Sequence, residues 1–294
     1  MSQSRLKGVI AAAATPITKE LEPDLDRFVA LCRWLLDEGC DGLNICGTTG
    51  EATSFSLQQR MAVMSAAAER GLPLDRLMVG TGAAATADAV ALTRHAAQLG
   101  FAGALLLPPF YYKGVPDDGI LAYFDRIVGA TKDRPVPLYL YNFPALSGVE
   151  YTPLLVARLV QVFGSRIRGL KDSSGNMDYA RAVGAASPGL DVFPSTEAVL
   201  LEARAGAFAG CISASANVNS AYCARAYRDG DRTALETATR IRALVSRQPL
   251  IPSVKAVLAS LRGDPAFEAP MPPLAPLPAA EKERLIADYR AARG

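Results

Sequence analysis

Leu77–Leu107 reads LMVGTGAAATADAVALTRHAAQLGFAGALLL. It opens with a short apolar run, Leu77–Gly80, and closes with another, Ala102–Leu107. Between them, Ala85–Leu99 has apolar residues at helical spacing and stops at Gly100. Apolar run, helix and apolar run make one βαβ unit, and runs that are apolar throughout suit strands buried on both faces of a parallel sheet. The same unit recurs outward in both directions. Further runs are Gly8–Thr15, Gly42–Ile45, Pro137–Tyr141, Ile167–Leu170, Asp191–Phe193 and Gly210–Ser213. Between them lie amphipathic stretches such as Leu25–Glu38, Leu57–Arg70 and Thr152–Phe163. Thr152 before Pro153 has the form of an N-cap, and Gly39 and Gly71 stand where helices should stop. Eight such units predict an α/β fold, a (β/α)8 TIM barrel, rather than a doubly wound sheet. After Asn219 the chain reads as helices: Ala234–Gln248, Val254–Leu261 and, past a proline-rich connector Pro265–Pro278, Ala279–Ala292. The expected division is 1–220, a barrel carrying the site, and 221–294, a helical extension of the same domain.

Gly80-Thr81-Gly82 mimics a dinucleotide fingerprint, but that fingerprint needs an acid at the end of the next strand. Here that strand ends in Pro108-Pro109, so no nicotinamide site is expected. The 294 residues carry a net charge of +2, too little for a nucleic-acid-binding face. No apolar run approaches a membrane span, and Met1–Gly8 has no signal-peptide pattern. Five cysteines without CxxC spacing suggest reduced thiols and a cytoplasmic protein. One histidine, His95, rules out a histidine-rich metal site, and its mid-helix place suggests a structural or surface role. Neither a metal nor an organic cofactor is expected. Acid–base chemistry falls to lysine, tyrosine, threonine or carboxylates.

In this fold the active site gathers at the C-terminal ends of the strands. Those ends hold Gly47-Thr48-Thr49-Gly50-Glu51, Tyr111, Tyr141-Asn142-Phe143-Pro144, Lys171-Asp172-Ser173, Ser195-Thr196-Glu197 and Ser213. Of seven lysines, Lys7, Lys19, Lys132 and Lys282 have charged neighbours and read as solvated. Lys113 sits in a polar loop and Lys255 on an amphipathic helix. Lys171 alone ends a strand. Apolar walls disfavour an ammonium, and the neutral amine can form a Schiff base with a ketone. The same position equally suits a rim lysine paired with Asp172. Tyr141 could relay protons through hydroxyls such as Tyr111 and Thr48, or be a packed aromatic. Gly47–Gly50 could present N–H groups to a carboxylate, or be a tight turn.

Together Gly47-Thr48-Thr49-Gly50-Glu51, Tyr141-Asn142-Phe143-Pro144 and Gly169-Leu170-Lys171-Asp172-Ser173-Ser174-Gly175, at three strand ends and in order, resemble the dihydrodipicolinate synthase / N-acetylneuraminate lyase family of pyruvate-dependent class I aldolases. The resemblance spans essentially the whole chain. It implies that Lys171 forms the Schiff base with pyruvate or another 2-keto acid and that Tyr141 shuttles the proton. Thr48 would link Tyr141 to Tyr111 of a neighbouring subunit, in a homotetramer built as a dimer of dimers. Thr49, with Gly47, would hold the carboxylate, and the Ile212 carbonyl would approach the lysine. Dihydrodipicolinate synthases carry an arginine where this chain has Leu146. Sialic acid lyases have an aspartate where it has Thr196, beside a matching Glu197. A 2-keto-3-deoxy sugar acid or related hydroxylated 2-keto acid fits better, with Ser173, Ser195, Glu197 and Ser213 binding its hydroxyls. The alternatives are a 4-hydroxy-tetrahydrodipicolinate synthase acting on pyruvate and aspartate semialdehyde, a sugar-acid dehydratase using the same lysine, and a non-enzymatic ligand-binding protein.

Overall fold

A computed structural model describes residues 5–293, so the first four residues of the expected signal-free start lie outside the described residues. In chain order the elements begin with β1 (Gly8–Ala12), α1 (Leu25–Asp37), β2 (Gly42–Ile45) and α2 (Leu57–Glu69). Then come β3 (Leu77–Gly80), α3 (Thr86–Leu99), β4 (Gly103–Leu106), α4 (Asp117–Ala130), β5 (Leu138–Asn142) and the short α5 (Pro144–Ser147). They are followed by α6 (Pro153–Phe163), β6 (Ile167–Asp172), α7 (Met177–Ala186), β7 (Asp191–Pro194), α8 (Leu200–Arg204) and β8 (Gly210–Ser213). Four helices close the chain: α9 (Ala216–Asp229), α10 (Arg232–Val245), α11 (Leu250–Arg262) and α12 (Ala279–Arg293). Every one of the eight expected strands is present, and residue 220 falls inside α9.

The chain forms two compact units. One is Pro73–Ser195 with Arg5 and Leu6; the other is Lys7–Leu72 with the chain from Thr196 on.

In the first unit, β3 to β7 pair in sequence order, all parallel. Thr152 caps α6, its hydroxyl accepting from the Leu155 N–H at 3.2 Å, with Pro153 at the first turn. Gly100 ends α3 in the left-handed conformation (φ 92°), which a residue without Cβ adopts freely. His95 lies half-buried within α3. β6 runs two residues past its expected end. Tyr141 and Asn142 of β5 stay in register with Lys171 and Asp172, so the ladder continues through polar residues. Tyr139 packs over Gly103 and Gly169; a Cβ at either glycine would come within 2.6 Å of its ring. That large ring floors the face on which Tyr141 and Lys171 stand one step further along.

In the second unit, β1 pairs parallel with β2 on one side and β8 on the other. β1 is shorter than its apolar run because a side chain takes over its ladder. The Asn217 amide donates to the Ala12 carbonyl at 2.7 Å and accepts from the Ala14 N–H at 3.1 Å. Gly39 and Gly71 follow α1 and α2 with φ of 103° and 70°. α10 packs against α9 and α12, and the Tyr289 hydroxyl of α12 donates to the Val218 carbonyl of α9 at 2.7 Å. All five cysteines are buried, and among the described residues none forms a disulfide. No described helix is long and apolar enough to cross a membrane.

Candidate active site

In the first unit, strand register sets which side chains stand together. Successive side chains of a strand point to opposite faces. Tyr141, Lys171 and Phe193 occupy matched positions on β5, β6 and β7, so they share one face. Lys171 is only 3% exposed, and its Nζ stands 4.2 Å from the centre of the Tyr141 ring. Asn142, Asp172 and Pro194 share the opposite face. There the Asp172 carboxylate accepts from Asn142 Nδ2 and Ser174 Oγ, both at 2.9 Å, and from the Ser174 N–H at 3.1 Å. Alternation therefore argues against a pairing of Lys171 with Asp172. Asp172 is turned away and occupied, and among the described residues Lys171 makes no ion pair.

Asn142 had no role in the sequence reading. Its Oδ1 accepts from the Tyr151 N–H at 3.1 Å while its amide braces Asp172, fixing the ends of β5 and β6. The signal was its place beside Tyr141 in the motif. Ser173 and Ser195 extend the ladder past the strands, their N–H groups donating to the carbonyls of Asn142 and Asp172 at 2.8 Å. Both are half-buried. Tyr111 lies on the surface, 75% exposed and edge-on to Tyr112. Leu146 on α5 is 63% exposed. Lys113 ties this tyrosine loop to α5 by donating to the Ser147 carbonyl at 2.7 Å.

In the second unit, Gly47, Thr48 and Thr49 form the turn after β2. A Cβ on Gly47 would lie 2.6 Å from Asn44 Oδ1, so any larger residue there would have to displace that buried amide. The Glu51 N–H donates to the Thr48 carbonyl at 3.0 Å, and the Ala52 N–H to the Gly47 carbonyl at 3.2 Å. Cys46 and Glu51 bracket the turn with left-handed backbones, φ 50° and 56°. Thr49 is buried and Thr48 half-buried. Ile212 is buried on β8, in register with Ile10.

Glu197 and Ser213 meet in a buried polar network. Glu197 is fully buried, and its Oε1 accepts from Ser213 Oγ at 2.8 Å, Ser215 Oγ at 2.5 Å and Asn219 Nδ2 at 3.2 Å. Its Oε2 pairs with Arg242 at 3.2 Å. Three hydrogen bonds converge on Oε1, so this network holds the carboxylate in place. Sequence reading missed Ser215, Asn219 and Arg242, which had no motif to mark them. Two lysines also differ. Lys7, Lys19 and Lys132 are exposed as expected, whereas Lys282 is half-buried against Glu268 at 2.9 Å. Lys255 is sealed inside, 1% exposed.

Alternating β and α elements and a buried lysine beside a tyrosine at the C-terminal ends of β5 and β6 define a class: barrel lyases of the class I aldolase type. Comparison with known proteins then gives the family. The pattern of the dihydrodipicolinate synthetase family matches residues 5–292, and the chain belongs to that family. It is similar to an uncharacterised DapA-like lyase of Chloroflexus aurantiacus, 34% identical over 292 residues that cover 96% of each chain. The crystal structure of dihydrodipicolinate synthase from Agrobacterium tumefaciens matches with a TM-score of 0.90 at 26% identity, over 97% of this chain and 99% of that one. YagE, a prophage protein of the dihydrodipicolinic acid synthase family from E. coli solved in complex with pyruvate, matches at 0.88 with 27% identity over 99% of both. The fold is the (β/α)8 barrel, and the protein is a lyase of the aldolase type.

Proposed function

We propose that this protein makes or cleaves the carbon–carbon bond between pyruvate and a hydroxylated aldehyde, acting on a 2-keto-3-deoxy sugar acid or a related hydroxylated 2-keto acid. One observation carries the reading: a buried lysine, without a counter-ion among the described residues, 4.2 Å from a tyrosine ring. Lys171 Nζ adds to C2 of the keto acid and water leaves, giving an iminium. That cation draws electrons from C3, so loss of a C3 proton yields an enamine. The enamine carbon attacks the aldehyde, and hydrolysis then frees Lys171; cleavage runs the same steps backward. Tyr141 moves the protons. Thr49, with Gly47, holds the keto acid carboxylate, and Thr48 carries the hydroxyl relay. The Ile212 carbonyl orients the lysine.

Leu146 supports the sugar-acid reading over a dihydrodipicolinate synthase. An exposed leucine cannot make the charge-assisted fork that holds a second carboxylate. Ser173 and Ser195 are left to meet the substrate hydroxyls. Glu197 and Ser213 are assigned to bracing β8 instead. The exposed Tyr111 loop supports a homotetramer in which this residue completes a neighbour's site, working in the cytoplasm. The purified protein should release pyruvate from 2-keto-3-deoxy sugar acids, read with a lactate dehydrogenase couple. It should turn over pyruvate with aspartate semialdehyde much more slowly. The reverse preference would replace this substrate class with that of the synthases.

A further inference from the structure

The turn that carries Thr48 and Thr49 is anchored from the far end of the sequence. Glu51 closes that turn with a left-handed backbone (φ 56°), a conformation an L-residue with a long side chain rarely adopts unless held. Its side chain is 2% exposed. One carboxylate oxygen accepts from the Met271 N–H at 2.6 Å, and the other pairs with the Lys255 ammonium. Lys255, on α11, also donates to the Ala269 carbonyl at 2.8 Å. Ala269 and Met271 belong to the connector between α11 and α12, and the Met271 side chain packs with Ile17 and Phe55. One carboxylate thus ties a helix, a connector and a turn together. Burial pushes the Lys255 ammonium below the ordinary lysine range, and Glu51 opposes that shift.

A sealed ion pair is weak evidence for stability, because apolar residues of the same volume often serve as well. What it supplies here is position. The Glu51 N–H is the donor that closes the turn onto the Thr48 carbonyl, so the place of Glu51 sets the direction of the Thr48–Thr49 peptide. We propose that Glu51 and Lys255 are positioning residues whose buried pair holds the Gly47–Gly50 turn and thereby sets the affinity for the keto acid carboxylate. The proposal rests on the reading that this turn binds that carboxylate.

The test is the half-saturating pyruvate concentration for borohydride trapping on the full-length protein, with circular dichroism to verify the fold. The double variant E51Q/K255M leaves no lone charge in the core and keeps an acceptor for the Met271 N–H. E51D keeps the charge and withdraws the carboxylate by one methylene. K282M breaks the Lys282–Glu268 pair on the same C-terminal segment without touching Glu51. The double variant and E51D should need about tenfold more pyruvate or more, the scale of effect that small misplacements produce. At saturating pyruvate both should reach the wild-type extent of adduct, and K282M should match the wild type throughout. Wild-type half-saturation in a folded double variant or in E51D would overturn the proposal. So would an equal rise in K282M, which would mark general loosening. A wild-type protein that traps no keto acid would instead overturn the Lys171 reading, and this one with it.

Discussion

Tyr141 presents its ring to the Lys171 amine because matched register on parallel strands puts both on one face. On the proposed function, a phenol so placed serves proton transfer at C3 and at the aldehyde oxygen more than it serves binding. Tyr141→Phe should therefore lower kcat by about 10²- to 10⁴-fold, the usual worth of a positioned acid–base group, with little change in the pyruvate dependence of trapping. Equal losses in both would assign Tyr141 a positioning role only. Lys171 was legible as the one lysine ending a strand. Its freedom from Asp172 was not, because that depends on which face Asn142 and Ser174 occupy. Lys255 was not legible as a buried cation at all. Its local pattern is that of an amphipathic helix, and its partner Glu51 lies some two hundred residues earlier. Glu197 was legible as a residue near a strand end, but its partners Ser215, Asn219 and Arg242 lie on later elements that sequence cannot place against it.

At the scale of elements, strand positions were read closely, since runs apolar on every residue mark strands buried on both faces. Their ends were harder. β6 runs on through Lys171 and Asp172, and β1 gives way to Asn217, because ladders end where hydrogen-bond partners end, not where apolarity does. The start of α1 carries an acid-sensitive clasp. Asp24 caps the helix, accepting from the Arg27 N–H at 3.0 Å and from its guanidinium at 2.6 Å. Arg27 also reaches Asp264, just after α11, at 2.7 Å. For Asp24 partial burial is the largest influence and opposes ionisation, but hydrogen bonds from Arg27 prevail and its carboxyl lies below the ordinary range. For Asp264 the Arg27 side-chain hydrogen bond is the largest cause of a shift in the same direction. Folded values below unfolded ones mean a contribution fully present above about pH 4 and lost as pH falls through the folded values. Arg27→Ala should thus lower Tm by a few degrees at pH 7, with the deficit shrinking on titration toward pH 3. A deficit independent of pH would contradict the clasp.

At the scale of the whole molecule, the (β/α)8 class was legible because eight units repeat along the chain, each a short-range pattern. The proposed assembly rests on a fainter trace. Tyr111, Tyr112 and Leu146 are large side chains left open on the surface, and apolar surface of this kind commonly marks association. Light scattering should give about four times the 31.0 kDa of one chain. Tyr111→Ala should lower turnover even if the assembly persists. A fully active monomer would contradict the shared site.

The account stands on Lys171 as the group that takes up the keto acid. The most direct measurement is borohydride reduction in the presence of pyruvate, followed by mass spectrometric mapping of the modified peptide. One reduced pyruvyl adduct is expected, on Lys171, absent from Lys171→Ala and from samples without pyruvate. A folded protein that gains no adduct with pyruvate or longer 2-keto acids, or that carries it on another lysine, would contradict the account.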